Sequence, residues 1–345
     1  MSLKSIFNVP IRILILTVLA IQPALGAWAD VRVAATLPVL ADLVRQVGGR
    51  RVSVQTLAKG TEDPHYVIPR PSLMAAVSRA DLFVEMGLQF ELWTERVLES
   101  AGNRGVNPGR PGHVYASDGI PVIEVPEKLT RAEGDVHPSG NPHIWLSPLN
   151  GPLLAANIAA GLKRVDPEHA ADYDRSLEEF SRKVYIRTFG ETLVEKFGEE
   201  FLSGEVRRGT FHSFLASKNV GELLGGWMKQ ARALRGFKVV TYHKEWSYLS
   251  QAFGLDVRNT IEEKPGIPPS AAHRDRLLAQ MKSEGIRAVI LATFEVNKIS
   301  ERVASMSGAR TIVVPANVNG AAGAVDFFSL FDTILAGLIQ GMGGI

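Results

Sequence analysis

The sequence predicts an α/β fold of two lobes, each built around a parallel sheet. Short runs of β-forming residues alternate with amphipathic helical patterns, and this alternation is typical of parallel strands covered by helices. It occurs once in residues 31–125 and again in residues 237–339. A long helical pattern lies between the two stretches and indicates a stiff connector rather than a flexible linker.

Four short strands are predicted in the first lobe, with helices between them. The strands are Val31–Thr36, Val52–Ala58, Asp81–Met86 and Pro121–Val125, and the helices are Pro38–Val47, Pro71–Arg79 and Phe90–Ala101. In the first helix, apolar residues recur at intervals of three and four and so share one face. Pro71 stands in the first turn of its helix, where the N–H that proline lacks would have no helical partner.

The region between the lobes is predicted to be helical. Glu127–Gly140 is charged and ends in glycine, and we interpret it as a loop. A helix is predicted over approximately Pro148–Lys163. A longer one is predicted over approximately Pro167–Phe197, with Asp166 as its N-cap and proline at the next position.

The second lobe repeats the alternation. The strands are Phe237–Tyr242, Val257–Ile261, Ala288–Ala292 and Thr311–Val314, and the helices are Lys244–Phe253, Pro269–Ser283, Ile299–Met306 and Phe327–Ile339. We therefore predict these parts: a leader at 1–29, an N-terminal α/β lobe at 30–150, helices including the long interlobe helix at 151–198, and a C-terminal α/β lobe at 199–345, with an added helical segment at 199–235.

The N-terminus has the pattern of a secretory signal peptide. Lys4 and Arg12 charge its start, an apolar stretch covers Ile11–Ala20, and Ala27-Trp28-Ala29 forms a small-x-small cleavage site. An uncleaved membrane anchor is the alternative, which the short apolar run disfavours because a membrane helix needs about 20 apolar residues. The pattern predicts export, and a periplasmic location for the mature protein.

Composition narrows the classes of function. The chain of 345 residues contains no cysteine, which excludes disulfides, thiolate ligands and a lipid-anchored cysteine. It has 38 basic and 36 acidic residues, and the leader removes two basic ones, so the mature charges balance. No nucleic-acid partner is expected from such a balance.

Three histidines in similar positions predict a metal site. His65, His143 and His243 each lie near the end of a predicted strand or just outside a helix. Ligands of open α/β sheets bind beyond the carboxyl ends of the strands, so these loops are expected to meet in a cleft. Neutral imidazoles that converge on one point form a transition-metal site.

The other histidines and the nearby acids have weaker patterns. His137, in the polar loop, is a candidate for transient metal capture, whereas the remaining four are interpreted as surface or structural residues: His113, His169, His212 and His273. Asp63 and Glu245 are interpreted as solvated loop charges. The sequence has no H-E-x-x-H, G-x-S-x-G or phosphate-loop motif, which disfavours a metal-dependent hydrolase. A binding protein for an organic solute or a metal chelate remains the other alternative.

Three segments resemble the zinc/manganese solute-binding proteins of bacterial ABC transporters, the cluster A-I or cluster 9 family. They are Asp63-Pro64-His65, Asn141–Pro148 and Tyr242–Tyr248. The resemblance implies two α/β lobes joined by one long rigid helix, with metal in the interlobe cleft. It also implies a monomer that carries Zn²⁺, or alternatively Mn²⁺, to the membrane permease of an ABC transporter.

One departure from this family concerns the fourth ligand, which the family usually takes as a carboxylate from the loop after the last strands. Here the loop at 314–320 contains no acidic residue. Asn317, Glu295, Asp63 or water could complete the coordination, and the sequence leaves these alternatives open. Three imidazoles favour zinc over manganese, because manganese prefers more oxygen ligands.

Overall fold

A computed structural model describes residues 31–126, 137–263 and 266–343. The predicted leader and most of the predicted loop at 127–140 therefore lie outside the described residues. The described chain contains two four-stranded sheets in which every neighbouring pair of strands is parallel. The predicted fold class is confirmed, while the residues at which each lobe begins and ends stay a prediction.

The first sheet has the strand order β2-β1-β3-β4. Its strands are β1 (Val31–Ala35), β2 (Val52–Thr56), β3 (Leu82–Glu85) and β4 (His113–Tyr115). Its helices are α1 (Pro38–Gly48), α2 (Pro71–Ser78) and α3 (Trp93–Ala101). The central strand β3 is buried along its whole length, as expected for a parallel strand covered on both faces.

The fourth strand was predicted in the wrong place. Pro121–Val125 forms no strand, and the sheet is completed instead by the three-residue strand at 113–115. The backbone of Ile123 bonds elsewhere: its N–H donates to the hydroxyl of Tyr248 at 3.2 Å, and its carbonyl accepts from Asn141 N at 2.9 Å. This segment therefore ties the first lobe to the second.

The second sheet has the strand order β6-β5-β7-β8. Its strands are β5 (Lys238–Thr241), β6 (Asp256–Thr260), β7 (Ala288–Ala292) and β8 (Arg310–Val314). Its helices are α10 (Ser247–Phe253), α11 (Ala271–Glu284), α12 (Lys298–Ser307) and α13 (Phe327–Met342). All four strands lie close to their predicted positions.

Helices fill the region between the sheets. They are α4 (Gly151–Val165), α5 (Ala170–Phe189), α6 (Glu191–Phe197), α7 (Glu199–Arg207), α8 (Phe211–Ser217) and α9 (Gly226–Gln230). The 20-residue α5 packs on α1 and α4 and also on α9, so it contacts both halves of the molecule. No helix in the described part of the chain has both the length and the apolar character needed to cross a membrane.

The long connector is shorter than predicted because it breaks at Gly190. This residue has a φ of +88°, which favours glycine, and a separate helix begins at Glu191. A Cβ at Gly190 would lie only 2.7 Å from the Cα of Gly225. The close approach of these two backbones therefore requires glycine and ends α5 eight residues before the predicted end at Phe197.

A buried carboxylate supports the tight turn after β3. Gly87, Leu88 and Gln89 all have positive φ values, 87°, 58° and 58°. The Glu91 carboxylate, 3% exposed, accepts hydrogen bonds from Met86 N at 2.9 Å and from Gly87 N at 3.3 Å. These bonds hold the turn and thereby fix Phe90, whose ring packs against His65 and His143.

This carboxylate should make the stability of the protein depend on pH. Burial, and next the charge of Glu85, raise the pKa of Glu91 to about 8. Between the ordinary carboxyl pKa and pH 8, Glu91 keeps a proton in the folded state that it releases in the unfolded state. The free energy of unfolding is therefore highest in acid and falls as pH rises through 8. Glu91→Gln should reduce the change in unfolding free energy between pH 5 and 8.5 by on the order of 3 kcal/mol. Denaturant unfolding at both pH values measures the effect, and parallel profiles for the two proteins would contradict it.

Candidate metal centre

The structure brings His65, His143 and His243 together. Their ring centroids are 5.2–5.3 Å apart in all three pairs. One ring nitrogen of each lies within 4.8 Å of the corresponding nitrogens of the other two. The imidazoles line a cavity of about 170 Å³.

Short turns beyond the strands position the three rings. His65 lies in a 3₁₀ turn after β2, whose N-cap Asp63 accepts the His65 N–H at 3.0 Å. His143 immediately precedes the 3₁₀ turn at 144–146. His243 follows β5 at its carboxyl end, where ligand sites of parallel sheets occur. Two different sheets therefore contribute to one cavity.

Each imidazole is oriented through its Nδ1. The Nδ1 atoms lie 2.7 Å from Asp63 Oδ1 for His65, 2.9 Å from Asn141 Oδ1 for His143 and 3.2 Å from Glu262 Oε2 for His243. An Nδ1–H that donates to such an oxygen leaves the Nε2 lone pair free to bind an ion. The Nε2 atom of His65 is buried without a hydrogen-bond partner among the described residues.

Asn141 links the loops that carry two of these histidines. Its Oδ1 accepts from the backbone N of His143 at 3.0 Å, in addition to the ring contact. Its Nδ2 donates to the carbonyl of Lys244 at 2.8 Å and to Glu124 Oε2 at 2.9 Å. Because Lys244 follows His243, this one amide fixes the position of the His143 loop relative to the His243 turn.

Aromatic rings cover the site on one side. The Phe90 ring centroid lies 4.6 Å from that of His65 and 5.2 Å from that of His143. Trp145 packs against both Phe90 and His143 at 5.4 Å, and its indole N–H donates to the carbonyl of Ala316. Such a wall excludes water and holds the imidazole planes in place.

The electrostatics of the cavity favour a neutral His143. Burial, and next the neighbouring histidines, hold the pKa of His143 well below its usual value. Burial also lowers the pKa of His243, but its hydrogen bond to Glu262 and the charge of Glu245 outweigh this effect and raise the pKa overall. The cavity therefore combines a neutral imidazole, His143, with nearby negative charge, which suits a cation.

The remaining histidines lie outside this group of three. The His137 ring is 5.4 Å from that of His65, at the edge of the cluster, and its role in transient capture stays a prediction. His113 is buried in β4, with Nδ1 2.8 Å from the carbonyl of Val106 and Nε2 3.0 Å from Glu85. His169 and His273 contact Asp166 and the carbonyl of Thr260 respectively, away from the cavity.

The candidates for a fourth donor differ in their existing bonds. Asn317 Oδ1 already accepts from Val39 N at 2.9 Å and from Val318 N at 3.0 Å. Asp63 Oδ1 accepts from both the backbone and the ring of His65. The interpretation of Glu245 as a solvated loop charge is wrong, since this residue is 2% exposed and lines the cavity.

Comparison with known sequences places the chain in one family. The family model described as "ZnuA: Zinc-uptake complex component A periplasmic" matches residues 33–186 and 217–341. Residues 187–216, which hold α6, α7 and most of α8, fall between the matched parts. The added helical segment at 199–235 stays a prediction.

Individual relatives share about a quarter of their aligned residues with this chain. The chain is 27% identical to the metal ABC transporter substrate-binding lipoprotein SsaB of Streptococcus sanguinis over 199 residues, 56% of this chain and 60% of the relative. It is 27% identical to the manganese ABC transporter substrate-binding lipoprotein PsaA of Streptococcus mitis, over 44% of this chain and 48% of the relative. The chain thus spans about half to three fifths of the length of these relatives. The high-affinity zinc uptake system protein ZnuA of Bacillus subtilis is 23% identical over 79% of this chain and 74% of its own length.

Solved structures share the fold. A crystal structure of ZnuA superposes with a TM-score of 0.64 at 22% identity, covering 90% of this chain and 99% of the other. A periplasmic metal binding protein from Candidatus Liberibacter asiaticus gives 0.63 at 18% identity, with coverages of 90% and 98%. The family model spans well over half of the sequence, and the resemblance noted from three short segments is confirmed. The chain therefore belongs to the ZnuA family, whose model describes the periplasmic component A of a zinc-uptake complex.

Proposed function

We propose that this protein captures a divalent transition metal outside the cytoplasm and delivers it to the membrane permease of an ABC transporter. The observation that carries the proposal is the convergence of His65, His143 and His243, each oriented through Nδ1. Family membership supports the transport role, and two of the relatives are named as a manganese ABC transporter substrate-binding lipoprotein and a zinc uptake system protein. The leader pattern supports a periplasmic location, and we propose that the protein acts as a monomer.

Zinc is the proposed metal. Three imidazole nitrogens and one oxygen make a four-coordinate set that zinc accepts readily, whereas manganese prefers sites richer in oxygen. In proteins of this kind the metal is cargo, so the affinity must be high enough for capture and the site must be able to open. With ligands from the turns after β2 and β5, the proposed ion would lie between the two sheets, where a movement of one lobe would expose it.

The dimensions of the cavity favour an ion over the alternatives. Sites for organic ligands typically occupy about 300–1,000 Å³. The cavity of about 170 Å³ is smaller than this range. A catalytic zinc also needs an open position for water and substrate, which so small and buried a space disfavours. We therefore propose binding without catalysis.

Metal titration tests the proposal. The purified protein is stripped with a chelator and titrated with Zn²⁺ or Mn²⁺ in competition with a chromophoric chelator. We expect one tightly bound zinc per chain, and manganese weaker by roughly tenfold or more. Failure to bind either metal stoichiometrically would reject the function, whereas tighter binding of manganese would reject only the choice of zinc.

A further inference from the structure

Four carboxylates line the metal cavity, and one of them differs from the other three. These residues are Asp63, Glu245, Glu262 and Glu295. Asp63 and Glu262 each contact the Nδ1 of a site histidine, and Glu295 Oε2 accepts from Ala292 N at 2.6 Å. Glu245 is buried, and neither of its oxygens has a hydrogen-bond donor of normal geometry among the described residues; its polar contact is with the carboxyl group of Glu295.

A buried carboxylate without donors requires an explanation. Glu245 is 2% exposed, so water cannot solvate it freely. Removing such a charge from water is costly unless the charge is paired or coordinates a metal. The neighbour of Glu245 is a second carboxylate, Glu295, which worsens the cost because the two charges repel. Burial first, and then this repulsion, raise the pKa of Glu295 well above its usual value.

The position of Glu245 relates it directly to the three imidazoles. It lies in the turn at 244–246, two residues after His243, and its side chain lines the same cavity as His65 and His143. Its charge is also among the groups that raise the pKa of His243. A cation held by the imidazoles would therefore share its cavity with a carboxylate whose oxygens form no hydrogen bond of normal geometry with the described residues.

We propose that Glu245 supplies the oxygen donor that completes the metal coordination begun by His65, His143 and His243. This inference rests on the proposed function and extends it by naming the fourth donor. The resulting set of three nitrogens and one oxygen suits four-coordinate zinc. Asn317 and Asp63 are less suited, because Oδ1 of each already accepts backbone or ring N–H groups. Glu295, which holds Ala292 N, supports the turn at 293–295 beside Glu245.

The substitution Glu245→Gln tests the proposal, because it keeps the shape of the side chain and removes its charge. Zinc affinity should fall about 100-fold or more, beyond the 10- to 100-fold loss typical of residues that only orient a ligand. The metal-free variant should be as stable as the wild type or more stable, because the new amide can donate to Glu295. A residue with a purely structural role would instead lose stability and affinity together.

Two further variants serve as comparisons. Glu263→Gln changes a carboxylate that pairs with Arg276 and does not line the cavity, so its zinc affinity should equal that of the wild type. Glu295→Gln keeps an oxygen for Ala292 N and should lose less affinity than Glu245→Gln. Cobalt substitution adds a direct readout, since the visible spectrum of Co²⁺ reports its ligands and geometry. That spectrum should change in Glu245→Gln and stay as in the wild type in Glu263→Gln.

The possible results separate this inference from the proposed function. If the wild type binds zinc and Glu245→Gln binds it equally well with an unchanged cobalt spectrum, the inference is overturned and the function stands. A larger loss in Glu295→Gln than in Glu245→Gln would also overturn it, in favour of Glu295. A parallel drop in metal-free stability and affinity would assign Glu245 a structural role instead. If the wild type itself takes up no zinc, the function and the inference both fail.

Discussion

Replacing His143 by alanine should weaken zinc binding by on the order of 10²- to 10³-fold. Structural zinc sites bind with about 10–16 kcal/mol, so one donor of four accounts for roughly 3–4 kcal/mol. His143 is 3% exposed, and burial keeps its imidazole neutral and ready to bind. Alanine would also leave an unfilled space beside Phe90 and Trp145. Competition titration of the two proteins with a zinc chelator measures the change.

The control for this prediction is another histidine of the same chain. His212 lies in α8 and does not line the cavity, so His212→Ala should bind zinc as the wild type does. Circular dichroism and thermal unfolding of the metal-free proteins show whether each variant is folded. A folded His143→Ala protein with undiminished zinc affinity would contradict the assignment of the site.

A strand that is buried on both faces can be predicted readily from the sequence. Every residue of β7, Ala288–Ala292, is buried, and a continuous apolar run in the sequence reflects that environment directly. The strand β4 could not be found in this way, because it has only three residues and includes a histidine. Pro121–Val125 has a more strand-like composition but bonds to Tyr248 and Asn141 in place of the sheet.

The break in the long helix depends on a contact distant in sequence. Gly190 is followed by a good helical pattern, and an isolated glycine is often tolerated within a helix. What ends α5 is the approach of Gly225 to the Gly190 backbone. A contact between residues so far apart in sequence cannot be seen in a local pattern. One continuous helix was therefore predicted where the structure has two, α5 and α6.

The histidines of the site could be predicted, but Glu262, which orients His243, could not. Imidazoles that follow predicted strands are visible in the sequence, and the topology of parallel sheets brings such loops together. Glu262 is 19 residues from the histidine that it orients, and nothing in its local sequence marks it. The burial of Glu245 is likewise a property of the folded cavity. Charged residues in loops are usually solvated, and that general expectation failed at this position.

Zinc should also stabilise the folded protein strongly, because it binds the native arrangement of ligands and not the unfolded chain. Free zinc at about a thousand times its Kd adds roughly 4 kcal/mol of stability. For a protein of this size class, that gain corresponds to a rise in Tm on the order of 10 °C. Because His65 lies beyond β2 of one sheet and His243 beyond β5 of the other, the ion also links the two lobes.

Thermal unfolding with and without zinc measures this stabilisation. Addition of excess chelator should return the Tm to the metal-free value, and magnesium, which prefers oxygen ligands, should leave it unchanged. In His143→Ala the shift at the same zinc concentration should largely disappear, because the affinity that produces it is lost. A shift of full size in that variant would mean that the stabilising ion binds elsewhere in the chain. The thermal experiment therefore tests whether the stabilising ion binds at these histidines, by a measurement separate from the affinity titration.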